Sequence, residues 1–216
     1  MTMHIVAFAD THQFHEELKV EDADVVVCAG DVCRGGEREE LDVFLTWFER
    51  LPHRHKIFVA GNHDGCLEQP RERGLVMQAH PSIHFLEDSG VVVDGVRFYG
   101  SPWTPEYHSW FFMKPRGAPL KERWDLIPRG TDVLITHGPP FGILDDAAGY
   151  RGSAAMGPMH AGCEALAAVV ADRRPRLHLF GHIHGQRGVV DAEGVRYVNC
   201  TTNEAEFPAQ LIALPG

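Results

Sequence analysis

Val25-Val26-Val27-Cys28-Ala29-Gly30-Asp31 is a short β-branched run that stops at a glycine and a carboxylate. An apolar run without polar alternation fits a strand buried on both faces, and this one predicts such a strand presenting Asp31 from its carboxyl end. The pattern recurs. His4 to Ala9 runs into Asp10-Thr11-His12, and Lys56 to Ala60 runs into Gly61-Asn62-His63-Asp64. Val133 to Thr136 runs into His137, and Leu177 to Phe180 runs into Gly181-His182-Ile183-His184. One polar strand end is a turn; the same ending on run after run is hard to explain as packing.

Between these runs the periodicity changes. Leu41, Phe44, Leu45 and Phe48 repeat at helical spacing, with acids in the first turn, and predict an amphipathic helix over Glu37 to Leu51. A second helix is expected over Glu68 to Ala79. Ile83 to Leu86, Val91 to Val93 and Val96 to Gly100 read as short strands, with Asp94-Gly95 turning a hairpin. Alternating βα units thus give way to a meander, which predicts mixed rather than purely parallel sheets. Ser101 to Leu120, rich in proline, glycine and aromatics, is expected to be a functional lid, and Phe141 to Met159 a second long loop. A helix over His160 to Arg173 and strands over Arg176 to Phe180, Gly188 to Val190, Val195 to Cys200 and Gln210 to Leu214 close the chain, with Glu193-Gly194 as a turn.

With 216 residues, 44% hydrophobic, the chain can bury one substantial core, and a single domain over 1–216 is expected. No apolar run approaches the roughly 20 residues of a membrane helix, and the first residues lack a basic region and cleavage site, so a soluble cytoplasmic protein is expected. A formal charge of −10 and a pI near 5.7 disfavour duplex nucleic acid as a partner. The five cysteines show no C-x-x-C spacing and read as reduced. Oligomeric state stays open.

Asp10, His12, Asp31, Asn62, His137, His182 and His184 offer oxygen and nitrogen donors without a thiolate, a set suited to Mn, Fe, Zn or Co. They are too many for one ion. If Asp31 bridges, two ions about 3.5–4 Å apart can share them and keep open positions. Two divalent ions against two carboxylates leave a positive balance, which a hydroxide and a phosphodiester monoanion offset.

In order, the blocks D-x-H (Asp10, His12), G-D (Asp31), G-N-H-D (Asn62, His63, Asp64), H (His137) and G-H-x-H (His182, His184) resemble the calcineurin-like metallophosphoesterases. The resemblance implies a four-layer α/β/β/α sandwich of two mixed sheets flanked by helices. It implies one metal on Asp10, His12, Asp31 and His184 and another on Asp31, Asn62, His137 and His182, with manganese the first choice. His63 would be the acid/base, with Asp64 beside it holding the imidazole as imidazolium. Ser101-Pro102-Trp103-Thr104-Pro105, Arg116-Gly117, Thr136-His137-Gly138-Pro139-Pro140 and Gly162-Cys163 are similar to the brain-type metallophosphoesterase-domain branch. That similarity implies a phosphodiesterase acting on cyclic nucleotides or related diesters by attack of a metal-bound hydroxide. Departures are Ala9 before the first block, Val32-Cys33 after the second, and Asp64 in place of the commoner glutamate.

A phosphomonoesterase or protein phosphatase on the same metal site, with Arg116 as its clamp, is one alternative. A non-catalytic nucleotide-binding regulator is the other. Trp103 is expected to stack on a flat leaving group such as a nucleobase. His108 and His160 flank the long loops and are candidate substrate contacts, whereas His15, His53, His55, His80 and His178 follow no ligand pattern.

Overall fold

Each apolar run finds its place as a central strand. In the computed structural model, which describes residues 2–148 and 159–216, Val25–Cys28 (β2) is buried at every position. It pairs in parallel with Met3–Phe8 (β1) on one side and His55–Phe58 (β3) on the other. Ile83–Phe85 (β4) extends the sheet in parallel, and Gln210–Leu214 (β13) pairs antiparallel with β1, giving the order β13-β1-β2-β3-β4.

A six-stranded sheet faces it. Ser89–Val93 (β5) and Val96–Ser101 (β6) form the expected hairpin, with Asp94 and Gly95 at φ 47° and 84°, as a tight turn with two left-handed residues requires. Val133–Thr136 (β9), Leu177–Phe180 (β10), Gly188–Ala192 (β11) and Val195–Asn199 (β12) complete the order β11-β12-β10-β9-β6-β5. Alternate residues of both sheets, among them Ile5, Ala7, Val27, Ile57, Val133, Ile135, Leu179 and Val198, form one dry seam between them.

The outer faces carry the helices. Arg38–Arg50 (α1) lays Leu41, Phe44, Leu45 and Phe48 on the first sheet, each burial contributing about 1.5–3 kcal/mol. A reciprocal capping box between Glu37 and Glu40 starts it. Pro70–Ala79 (α2) covers the same face. The helix expected from Glu68 starts later because Pro70 lacks an amide to continue a preceding turn; Gly65–Glu68 forms a separate 3₁₀ turn.

Ala118–Trp124 (α3) and Glu164–Arg173 (α4) cover the second sheet with Leu120, Trp124, Leu166 and Val170, completing the four layers. The helix expected from His160 begins at Glu164, since Ala161 and Cys163 donate their amides to Asp145 O and Pro139 O instead. Helix α3 was not expected, although Leu120, Trp124 and Ile127 bury at helical spacing. The lid carries two-residue strands, Thr104–Pro105 (β7) and Met113–Lys114 (β8), paired with each other. The expected second loop lies partly in residues outside those described. No helix among the described residues is long and apolar enough to cross a membrane.

Candidate metal centre

Asp10 and Asp31 follow the carboxyl ends of β1 and β2, and Asn62 follows β3; His137, His182 and His184 follow β9 and β10 of the facing sheet. The backbone there is bent out of ordinary conformations. Asp10, His12, Asp31 and His182 have φ of 58°, 40°, 57° and 69°, a left-handed region costing on the order of 1–3 kcal/mol per non-glycine residue. Strain of that size persists only where the surroundings fix it. Asp10 N–H donates to Gly30 O at 2.9 Å, and the Asp10 carboxylate accepts His182 N–H at 3.0 Å. Gly61 must be glycine, because a Cβ there would stand 2.3 Å from Asp31 Oδ1 and 2.7 Å from His137 Cε1.

Among the described residues three donor groups form, each with its ligand atoms within 4.8 Å of one another: Asp10, His12, His184; Asp31, His137, His182; and His12, Asp31, His63. Asn62 joins the second, its Oδ1 lying 3.0 Å from His137 Nε2. The ring tautomers are set from behind. His12 Nδ1 donates to Cys33 O and His137 Nδ1 to Ala29 O, both at 2.9 Å, which leaves each Nε2 for the cluster. His137 Nε2 then faces Asp31 Oδ2 at 3.2 Å and Asn62 Oδ1. A lone pair meeting two oxygen acceptors needs something positive between them, a proton or a cation, and the donor set fits a divalent ion.

The electrostatics agree. Burial pulls the His137 pKa down, but Asp31 and then Asp10 outweigh it and bring it up to about 9. Burial works against the Asp31 carboxylate, yet His137, His12 and His63 hold it well below the usual range. His182 is pushed down to about 4 by burial and by His137, which keeps its ring neutral and competent to ligate.

His63 stands beside this cluster. Its Nδ1 donates to Arg34 O at 2.7 Å, its amide donates to Asp31 Oδ1 at 2.7 Å, and its ring lies against Trp110 with centroids 3.9 Å apart. The expectation that Asp64 holds the His63 ring is corrected here. Asp64, 0% exposed, accepts the amides of Gly61 and Asp31 on one oxygen and of Val32 and Cys33 on the other, tying the loop after β2 to the loop after β3.

The cluster floors a cleft of about 960 Å³, walled by the lid, by the segment around His160, and by residues near Arg187 and Phe207. Trp103 is not among the lining residues, contrary to expectation. Its Nε1 donates to Asp88 at 2.9 Å, and Lys114 Nζ sits 4.3 Å from its ring centroid, so the indole packs the lid onto the body. Trp110 and Tyr107 line the cleft instead, and the Trp110-Phe111-Phe112 run in the lid was the signal available for them. Arg116 lines the cleft, but its guanidinium donates to Ala161 O, Gly162 O and Glu164, so it grips the protein rather than a substrate.

This architecture, with its ligand-bearing strand ends, is that of a metallophosphoesterase. Residues 3–186 match the calcineurin-like phosphoesterase family, and the chain belongs to it. Members are phosphoester hydrolases that generally hold a divalent metal pair. The chain is 37% identical to human metallophosphoesterase domain-containing protein 1 over 236 aligned residues, covering 97% of this chain and 70% of that protein. It is 34% identical to the UPF0046 protein K07C11.7 of Caenorhabditis elegans, covering 90% and 68%. The fold is similar to that of TT1561 of Thermus thermophilus, with TM-score 0.66, 16% identity and coverage of 94% and 91%. It is also similar to the phosphopantetheinyl hydrolase of Mycobacterium tuberculosis, with TM-score 0.61, 17% identity and coverage of 91% and 88%.

Proposed function

We propose that this protein is a phosphodiesterase with a binuclear divalent metal site, manganese by preference, acting on small nucleotide-type diesters such as cyclic nucleotides. The observation that carries this reading is Asp31, which stands within ligand reach of both the His12 side and the His137–His182 side of the cluster. A divalent pair bound there supplies water of lowered pKa and offsets charge on the phosphoryl oxygens. Asp10, His12, Asp31 and His184 would hold one ion; Asp31, Asn62, His137 and His182 the other.

The chain's own part is orientation and proton delivery. Backbone carbonyls behind His12 and His137 fix their rings, and Asp64 fixes the spacing of the two loops. His63, whose Nδ1–H is engaged by Arg34 O, would in its imidazolium form donate the Nε2 proton to a departing alkoxide on the cleft floor. Tyr107 and Trp110 offer flat faces to a base, and stacking contributes about 1–3 kcal/mol.

Charge favours a diester over a monoester. Both arginines of the described lining are committed, Arg116 as above and Arg187 to Thr201 O and Pro208 O, while Glu106, Asp146 and Glu206 line the same cleft. A dianionic monoester finds no uncommitted guanidinium among these residues. The test is turnover by metal-reconstituted protein of bis(p-nitrophenyl) phosphate, p-nitrophenyl phosphate and 3′,5′-cyclic AMP. Diester kcat/KM roughly tenfold or more above the monoester's, about 1.4 kcal/mol, is expected; equal or reversed preference overturns the reading.

A further inference from the structure

We propose that His160, held by the buried carboxylate of Asp145, is a recognition point on the cleft wall for an anionic substrate group other than the phosphodiester under attack. The inference rests on the phosphodiesterase reading and narrows its substrates to diesters that carry a further phosphate or carboxylate.

Asp145 is 3% exposed, and both its oxygens are engaged. Oδ1 accepts His160 Nδ1–H at 2.9 Å; Oδ2 accepts Gly142 N–H at 2.9 Å and Gly162 N–H at 3.2 Å. Only glycine allows this approach at 162, since a Cβ would stand 2.8 Å from Asp145 Oδ2 and 2.6 Å from Pro140 O. The His160 backbone is bridged to Asp146, and Arg116 grips the next two carbonyls. The imidazole is therefore fixed from behind although its side chain is 45% exposed, and Nε2 is the nitrogen left for a ligand.

A buried carboxylate spent on orienting an exposed ring is more than packing asks for. It is the arrangement that fixes a histidine's tautomer and direction at functional sites. The hydrogen bond and the charge of Asp145 both raise the His160 pKa, favouring the form that donates from Nε2. On this wall His160 is held by a carboxylate that leaves its Nε2 open, while the guanidinium of Arg116 is taken up by Ala161 O, Gly162 O and Glu164 and that of Arg187 by Thr201 O and Pro208 O. A cleft of about 960 Å³ stands at the upper end of small-molecule sites, with room for a substrate that touches both the cluster and this wall.

The probes are adenylyl-3′,5′-adenosine and its 5′-phosphorylated form, which share one diester and differ by one terminal phosphate. With metal-reconstituted full chain, the phosphorylated form is expected to show a KM roughly tenfold lower, as one charge-assisted hydrogen bond provides. His160→Gln is expected to bring that ratio to near one by raising KM for the phosphorylated form, and His160→Arg to keep it. Asp145→Asn, a positioning change, should narrow the ratio too, with the melting temperature followed in parallel. A parent ratio of one, a ratio that survives His160→Gln, or a change confined to kcat overturns the proposal. If neither diester is hydrolysed, the phosphodiesterase reading fails separately. Calorimetry with adenosine 3′,5′-bisphosphate against AMP then decides: a roughly tenfold preference for the bisphosphate that is lost in His160→Gln supports the site, and equal affinities overturn it.

Discussion

Asp64→Asn keeps the shape of a buried side chain and changes what it can accept. The carboxylate takes four amides, from Gly61 at 2.7 Å and from Asp31, Val32 and Cys33 at 3.0 Å each. Asparagine retains one oxygen, so one pair of amides would face an NH₂ group that cannot accept. Two hydrogen bonds to a charged acceptor, at about 1.5–3 kcal/mol each, put the loss at about 3–6 kcal/mol. Burial and the neighbouring Asp31 carboxylate both push the Asp64 pKa up, so removing its charge recovers part of this and favours the lower end. Against a net stability of about 5–15 kcal/mol the effect is large, a fall in melting temperature on the order of 10 °C. Urea titration of metal-free and metal-loaded protein measures it, and metal affinity should fall as well, because the same amides set the separation of Asp31 and Asn62. A loss below about 1 kcal/mol with unchanged metal affinity would refute the bracing role and return Asp64 to the vicinity of the chemistry.

Asp31→Asn should lower metal content at both positions whereas His184→Asn lowers it mainly at one, as metal analysis of the purified variants will report; equal content in Asp31→Asn and parent sinks the bridging assignment. His63→Ala should keep its metal and lose roughly 10²–10⁴-fold in kcat on cyclic nucleotides but far less on p-nitrophenyl diesters, and equal losses on both argue against proton donation. Trp103→Ala should lower the melting temperature, since it leaves Asp88 without its indole donor, while Trp110→Ala should act on nucleotide KM with little change in melting. His15 is 1% exposed and among the described residues finds no hydrogen-bond partner for either ring nitrogen, and burial lowers its pKa from the usual 6.5. The unfolded chain therefore binds the proton more readily, and the stability this group contributes is lost as pH falls below about 6.5. His15→Phe should flatten that acid limb in chemical denaturation from pH 7 to 5, and an unchanged limb excludes His15 as its source.

The sandwich was legible in the sequence because its central strands are continuous apolar runs, and β2 is buried at all its positions as Val25 to Cys28 foretold. The gathering of Asp10, Asp31, Asn62, His137 and His184 was legible for a related reason: parallel strands put their carboxyl ends at one edge, so order along the chain becomes proximity. What the sequence concealed depends on long-range hydrogen bonds. Asp64 follows His63 directly, yet its partners are the amides of residues 31–33 and of Gly61. Nothing in the spacing of Trp103 and Trp110 says which indole Asp88 will take and which will meet His63. Helix α3 hid behind Pro119 and Gly117, which read as loop residues although proline is well tolerated in a helix's first turn.

The apolar seam between the sheets has one further consequence. Contacts among Ala7, Val27, Ile135 and Leu179 are non-directional, and by themselves they fix neither the slide nor the rotation of one sheet over the other. Directional ties cross the seam at its site end, where His137 Nδ1 bonds Ala29 O, His182 N–H bonds Asp10, and Ala9 N–H bonds Cys200 O at 3.1 Å. A cation held by Asp31 from one sheet and His137 from the other, as proposed above, would stand at that corner like the pin of a clasp. Chelation should therefore leave the helical layers protected from hydrogen exchange and loosen first the amides at the carboxyl ends of β2 and β9, turning the metal site into the angular reference of the whole sandwich.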